Sequence, residues 1–338
     1  MASQQESSDR VLKAVAAFVS SLYSGRSVCP DMSSLIQATS SLRLSSFDDW
    51  EQLVRSGIDW AENKHKPPKW RFWAAPTPFP TWIDLCSWDG YKRERTLRAL
   101  AGAAPNAFFL ALAARRLNDW VPEVRAAARE TLPSIAAASD PAEVASMLCA
   151  VLPHWNSWGR MEAHDKQVLL EISSTEAVVC ALTEQIISTP AGPMAEILAQ
   201  VGRSPALDAS LQDIASQAVQ PAVRAKAYRA MLDGKMVWLE GRVWECTDRS
   251  RFTGYRRAVH GHRSLSGTVP SAELLKAAIA DPSNVVRRVV GDVLIRETEP
   301  LDGLALELAI RLAADKHPSL SARGQFLLEN LTKPKPDA

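Results

Sequence analysis

Four stretches of this chain repeat one order of residues, and that repetition limits the fold more than any other feature. "PNAFFLALAARRL" (105–117) runs straight into "NDWVPEVRAAARETL" (118–132), and "LDASLQDIASQA" (207–218) precedes "QPAVRAKAYRAML" (220–232). In the same way "SAELLKAAIA" (271–280) precedes "DPSNVVRRVVGDVLI" (281–295), and "LALELAIRLAAD" (304–315) precedes "HPSLSARGQFLLENL" (317–331). Each pair joins a mostly apolar helix to a tight break containing Pro, then to a second helix with an Arg in its first or second turn, at 125, 224, 287 and 323. The intervals of 99, 63 and 36 residues between these arginines are uneven, so degenerate or interrupted units fill the gaps. "DPAEVASMLCAVL" (140–152) and "TEAVVCALTEQII" (175–187) fit as members that lack the Arg. Two-helix units of this length cannot bury their apolar faces alone and predict an α-solenoid.

The order within each pair has a physical logic. Asp is a good N-cap, and Pro suits the first turn of a helix because its missing N–H is not needed there. Arg is the odd member, since the helix dipole disfavours a cation at that end. It therefore requires a partner, either the Asp six residues earlier or its counterpart in a neighbouring unit. Asp119 stands six before Arg125 and Asp281 six before Arg287; Ala218 takes the Asp position before Arg224, and Asp315 is displaced by two relative to Arg323. This reading makes Asp119, Arg125, Arg224, Asp281, Arg287 and Arg323 structural markers of the repeat.

Asp119 with Val124-Arg125, and Asp281 with Val286-Arg287, resemble the HEAT-repeat (armadillo-like) family, whose repeats carry an Asp before the break and Val-Arg at the start of the second helix. The resemblance covers about 81–331. It implies an all-α, right-handed α-solenoid of HEAT-like helical pairs over 81–331, with an N-terminal helical region at 1–66, a Pro/aromatic-rich connector at 67–80 and a C-terminal tail at 332–338. Residues 1–8 read as a frayed tail, with Asp9 capping a helix that carries Val11, Leu12, Val15, Phe18, Val19 and Leu22. Further helices are predicted at 31–42 and 47–61. The prolines of the connector forbid a regular helix there.

One segment breaks the rhythm. "KMVWLEGRVWECTDRSRFTGYRRAVHGHR" (235–263) reads as an irregular insertion after a good helix, with seven basic residues against three acids and Trp238, Trp244, Phe252 and Tyr255 interleaved. Long loops on rigid arrays often carry the function. Arg242, Trp244, Arg249, Arg251, Arg256, Arg257, His260 and His262 are therefore the candidate residues for gripping a partner or phosphates. Against this stands an insertion whose aromatics pack on the solenoid while its arginines stay solvated. Cys246, Asp248, His260 and His262 invite a metal site, but no second ligand pair flanks them, so no metal is expected.

Two other clusters attract attention. Asp84 and Asp89 lie among Trp82, Trp88, Lys92, Arg93 and Arg95, loosely similar to the aromatic and acidic groove of solenoid alkylpurine DNA glycosylases; capping and burial explain them more simply. Glu162, His164 and Asp165 are expected to cap and solvate an exposed helix start. No Walker loop, G-x-G-x-x-G, H-E-x-x-H or G-x-S-x-G is present, so there is no motif on which to build catalytic residues or a cofactor site.

Composition narrows the rest. The chain has 338 residues, with 39 basic against 38 acidic ones, so no global field draws it to nucleic acid or membrane. Five scattered cysteines suggest reduced thiols, and no apolar run approaches the ~20 residues of a membrane span. The expectation is a cytoplasmic, non-enzymatic scaffold that binds another protein through a concave face or the basic insertion. Nucleic-acid binding or repair through the same surfaces is the alternative, a small enzyme whose site the sequence does not reveal is a third, and a small-molecule ligand stays open.

Overall fold

The structure is a computed structural model, described here for residues 2–23, 31–65, 80–267, 270–296 and 303–332. Among these residues the chain is mostly helical, with sixteen α-helices and one two-stranded antiparallel sheet. It divides into two compact units, residues 1–181 and 182–338. Pro80 apart, the connector at 67–80 lies outside the described residues, as does the tail beyond Thr332. No helix among the described residues is long and apolar enough to cross a membrane.

In the first unit, α1 (Ala2–Tyr23) packs on α2 (Ser33–Thr39) and α3 (Phe47–His65). Val11, Val15, Phe18 and Val19 of α1 are buried with Leu35, Trp50 and Val54. The helix starts at Ala2 rather than at Asp9, because Ala, Gln and Glu sustain a helix even where nothing is buried. Then come α4 (Gly90–Ala99), α5 (Ala107–Arg115), α6 (Pro122–Ala138), α7 (Pro141–Val151) and α8 (Ala163–Ser173). Helices α4, α6 and α8 pack in succession, and α5 packs on α7. Sequence dictates which helix is central: Ala107 to Ala114 are all buried, as an all-round apolar helix must be. Asn106 caps α5 through the amides of Phe108 and Phe109, and its side-chain amide donates to Ile36 O and Thr39 Oγ1, tying α5 to α2. Helix α9 (Glu176–Ser188) spans the division between the units.

The second unit holds α10 (Met194–Val201), α11 (Leu211–Gln217), α12 (Pro221–Leu232), strands β1 (Lys235–Asp248) and β2 (Thr253–Ser264), then α13 (Ser271–Ile279), α14 (Asn284–Arg296), α15 (Gly303–Ala313) and α16 (Pro318–Thr332). Helices α12, α14 and α16 pack in succession, α13 packs on α15, and sequence neighbours α11–α12, α13–α14 and α15–α16 pair. At Gly324 a Cβ would collide with the backbone of Ala313, so glycine lets α16 meet α15 this closely.

The segment at 235–263 is not irregular, and the fold is not purely α. It is a hairpin registered from Lys235 opposite Ser264 to Asp248 opposite Thr253, with irregularities at Leu239/Gly241 and Cys246/Asp248. Its aromatic and β-branched residues favour strands. The turn at 249–252 uses no glycine: Asp248 Oδ1 accepts from the amides of Ser250 (2.8 Å) and Arg251 (3.3 Å), and Phe252 takes a φ of 51°. Searching for glycine turns therefore passes over it.

The arginines in the second helices solve their dipole problem in one recurring way. Nη1 of Arg93, Arg125, Arg224 and Arg287 each donates to the carbonyl six residues earlier, at 2.8, 2.8, 2.7 and 3.0 Å. Arg93, Arg224 and Arg287 also fork onto Asp119, Asp281 and Asp315 further along the chain. Each of these aspartates in turn accepts the amide two residues on, at Val121, Ser283 and His317. The Arg–Asp separations are 26, 57 and 28 residues. The thirty residues of the hairpin, 235–264, sit inside the middle interval; without them Arg224 and Asp281 would be 27 apart. Arg125 makes no such fork among the described residues; one turn on, Arg129 binds the buried Asp165 at 2.7 Å. Arg323 bonds Ser319 O and Asp292 instead, and Ser321 stands six after Asp315.

Candidate functional site

The hairpin has an anchored base and an uncovered tip. Met236 is fully buried and seats against Gly202, where a Cβ would come within 2.7 Å of its Cγ. Arg263 donates to Gly202 O (2.7 Å), Ser204 O (2.6 Å) and Asp208 (2.9 Å). Burial works against the Asp208 carboxylate, but the Arg263 hydrogen bond and the Ser266 amide hold its pKa below the ordinary value. The outer edge of β1 is pinned as well, since Lys226 Nζ donates to Val237 O, and Gln200 (3.0 Å) and Arg203 (3.2 Å) donate to Leu239 O. Burial pushes the Lys226 ammonium below its usual range. Beyond Gly241 the side chains of Arg242, Val243, Trp244, Glu245, Tyr255, Arg256 and Arg257 are exposed.

Register decides which of the predicted residues act together. Side chains alternate between the faces of a ribbon, and directly opposed residues share a face. Trp244 pairs with Arg256, Arg242 with Ala258, Leu239 with His260 and Val237 with His262. One face therefore carries Arg242, Trp244, Arg256, His260 and His262. Arg257 lies on the other with Val243, Glu245 and Tyr255, and binds Glu245 at 2.9 Å. Arg249 and Arg251 sit in the turn, Arg251 at 3.9 Å from Asp248. Arg242, Arg249 and Arg256 make no ion pair among the described residues. Trp244 lies over Gly254, where a Cβ would stand 2.9 Å from its ring, so the absence of a side chain there lets the indole rest on the ribbon. Cys246 faces Gly254, far along the ladder from His260 and His262, and the described residues contain no group of three or more His, Cys, Asp or Glu placed to hold a metal.

The other predicted clusters resolve differently. Asp84 and Thr81 form a capping box, Asp89 caps α4 through the Tyr91 amide, and Trp82 is buried beside Phe109. Glu162 and Asp165 form a capping box at the start of α8, as expected, with the Glu162 amide donating to Asp165 Oδ2 at 2.8 Å; Asp165 is nevertheless fully buried on Arg129, not solvated, while His164 stays exposed 3.6 Å from Glu162. Arg93 belongs to a buried charge network that the sequence did not reveal. It binds Asp119 through Nε (2.8 Å) and Nη2 (2.7 Å), and Arg116 reaches the same carboxylate at 3.3 Å and also binds Glu51. Arg55 adds to Glu51 at 2.6 Å and lies over the Trp88 ring. Burial opposes ionisation of Asp119, yet Arg93, the Val121 amide and Arg116 outweigh it and lower its pKa. Burial pushes the neighbouring Cys86 thiol up to about 12, so it stays protonated.

This network floors a cavity of about 620 Å³ in the first unit, walled also by Arg115, Arg160, Trp88 and Trp120. Its members come from α3, α4 and the turn before it, the end of α5 and the turn leading to α6, and the loop before α8, so no short motif gathers them. The only local trace is the "RRLND" run (115–119), which the repeat reading absorbs as a helix end. No protein-family model matches the chain, and none of the curated proteins compared with it matches.

Proposed function

We propose that this chain is a non-enzymatic interaction module of HEAT-like helical pairs, and that its hairpin tip docks another protein that presents acidic groups. The observation that carries this reading is the ribbon face on which Trp244 lies beside Arg242 and Arg256, both without ion pairs among the described residues, beyond a base fixed by Arg263 and Met236. Trp and Arg are, with Tyr, the residues most enriched among energetic anchors of protein interfaces, and an indole that already rests on the ribbon has less freedom to lose on binding. The opposite face already neutralises Arg257 with Glu245, so the cationic side is specific to one face. The helical-pair architecture is supported by the packing of alternate helices and by Arg–Asp intervals of 26 and 28 residues, with 27 once the hairpin is set aside. A solenoid presents a long rigid surface for such contacts.

The test is a nuclease-treated pull-down with the whole protein and with Arg242→Ala/Trp244→Ala/Arg256→Ala. One protein recovered in stoichiometric amount by the parent and lost by the triple variant supports the reading; equal recovery, or none, overturns it. A second reading rests on shape, because a two-stranded ribbon fits the major groove of DNA. It requires oligonucleotide binding that weakens steeply with salt and depends on Arg242 and Arg256.

A further inference from the structure

The cavity in the first unit holds more positive charge than the protein itself uses. Five arginines line it against three carboxylates. Arg93 and Arg116 are committed to Asp119 and Glu51, and Arg55 to Glu51 and the Cys86 carbonyl. Arg115 and Arg160 are held less closely. Arg115 stands 4.0 Å from Glu51, a carboxylate already bound more closely by Arg55 and Arg116, and meets Asp48 at 3.2 Å, which is 67% exposed and therefore screened. The guanidinium lies over Trp158, 4.6 Å from the ring, and its Nη1 is buried with no acceptor among the described residues. A buried N–H of this kind demands an oxygen partner. Arg160 makes no ion pair among the described residues; its backbone amide is fixed by Asn118 Oδ1 at 3.0 Å. Trp88 and Trp120 add two large apolar surfaces, 66% and 68% exposed, to the same cavity.

We propose that this cavity binds a small organic phosphate, whose phosphate is received by Arg115 and Arg160 and whose body lies against the indoles of Trp88 and Trp120. Two guanidinium groups whose charge is not fully matched by close carboxylates suit a doubly charged, multi-oxygen anion better than a single carboxylate, and a planar fork suits its geometry better than an ammonium. The volume falls within the range of about 300–1,000 Å³ typical of small-ligand sites. Glu51 is held by Arg55, Arg116 and, at 4.0 Å, Arg115, and Asp119 by Arg93 and Arg116, so neither is free to act as a base, and the site binds rather than turns over. The proposal is independent of the hairpin.

Calorimetric titration of the full chain, at constant ionic strength, with inorganic phosphate, adenosine 5′-monophosphate and a 5′-phosphorylated oligothymidylate tests it. The expected result is saturable one-to-one binding of the monophosphate, competed by inorganic phosphate. Arg160→Ala and Trp120→Ala should each weaken it about tenfold or more while leaving the unliganded melting temperature unchanged. Arg242→Ala/Arg256→Ala should leave it as in the parent. Absence of saturable binding by both small probes at roughly 10 mM overturns the proposal. So does an affinity that survives Arg160→Ala, and binding of the oligonucleotide alone shows that a strand, not a small phosphate, is the source.

Discussion

Arg287 donates from Nε and Nη2 to the two carboxylate oxygens of Asp315, at 2.6 and 3.0 Å, while its Nη1 reaches back to the carbonyls of Asp281 and Pro282. One side chain thus closes the turn before its own helix and holds the turn before α16. Arg224 does the same with Asp281, and Arg93 with Asp119. Arg287→Ala should lower unfolding stability by about 2 kcal/mol, the scale of hydrogen bonds to charged groups. Because Asp315→Ala removes the same contact, the double variant should lose clearly less than the sum of the two singles. Urea denaturation of the four proteins measures the coupling, and strict additivity would contradict a direct pairing.

Asp119 should matter more. It is buried between two buried arginines, Arg93 and Arg116. Asp119→Ala leaves both cations poorly compensated and should cost about 3–5 kcal/mol, as breaking buried pairs does. A loss no larger than that of Arg287→Ala would show that Glu51 alone suffices to balance them.

Acid should unfold the chain through its aspartates. The Arg287 hydrogen bond lowers the pKa of Asp315, and the arginine partners of Asp119 and Asp208 overcome burial to lower theirs. A folded pKa below the unfolded value, about 3.9 for Asp, gives stability that is complete above that value and is lost as pH falls through the folded one. Helical circular dichroism should therefore stay flat from neutrality to about pH 5 and fall below about pH 4. Arg287→Ala should move the acid midpoint upward; a midpoint unmoved by this change would remove Asp315 from the account.

Gly324→Val tests the close approach of α16 to α15. Its Cβ would run into the Ala313 backbone, which cannot step aside as a flexible side chain would. Overpacking of this kind should cost about 3 kcal/mol or more. An unchanged urea midpoint would mean that the two helices separate freely.

Gly254→Val should act on the ribbon alone. The new Cβ would strike Glu245 O and crowd the Trp244 ring. We expect the helical signal and the urea midpoint to stay close to the parent, while proteolysis within 241–258 accelerates and partner recovery falls. Simultaneous loss of helix would show that the ribbon tip supports the helices.

Much of the helical framework was legible in the chain itself. The apolar run of α5, Pro122 opening α6 and the Asp–Pro–Val–Arg order at 281–287 depend on neighbours within a turn or two, where helix periodicity, capping and proline geometry act. The residues of the proposed docking face stood out as a group, because basic and aromatic residues crowd one segment. What only tertiary structure decided was partnership. Arg93 was read among helix caps, yet it makes the same contacts as Arg224 and Arg287, and no local pattern joins it to Asp119, 26 residues away. Strand register separated Arg242, Trp244 and Arg256 from Arg257, since a ribbon's two faces differ by a single residue of offset. The arginine-lined cavity arises from four distant stretches of chain. The distance between Arg115 and Arg160 in space follows from helix packing, and packing is written in shape rather than in spacing.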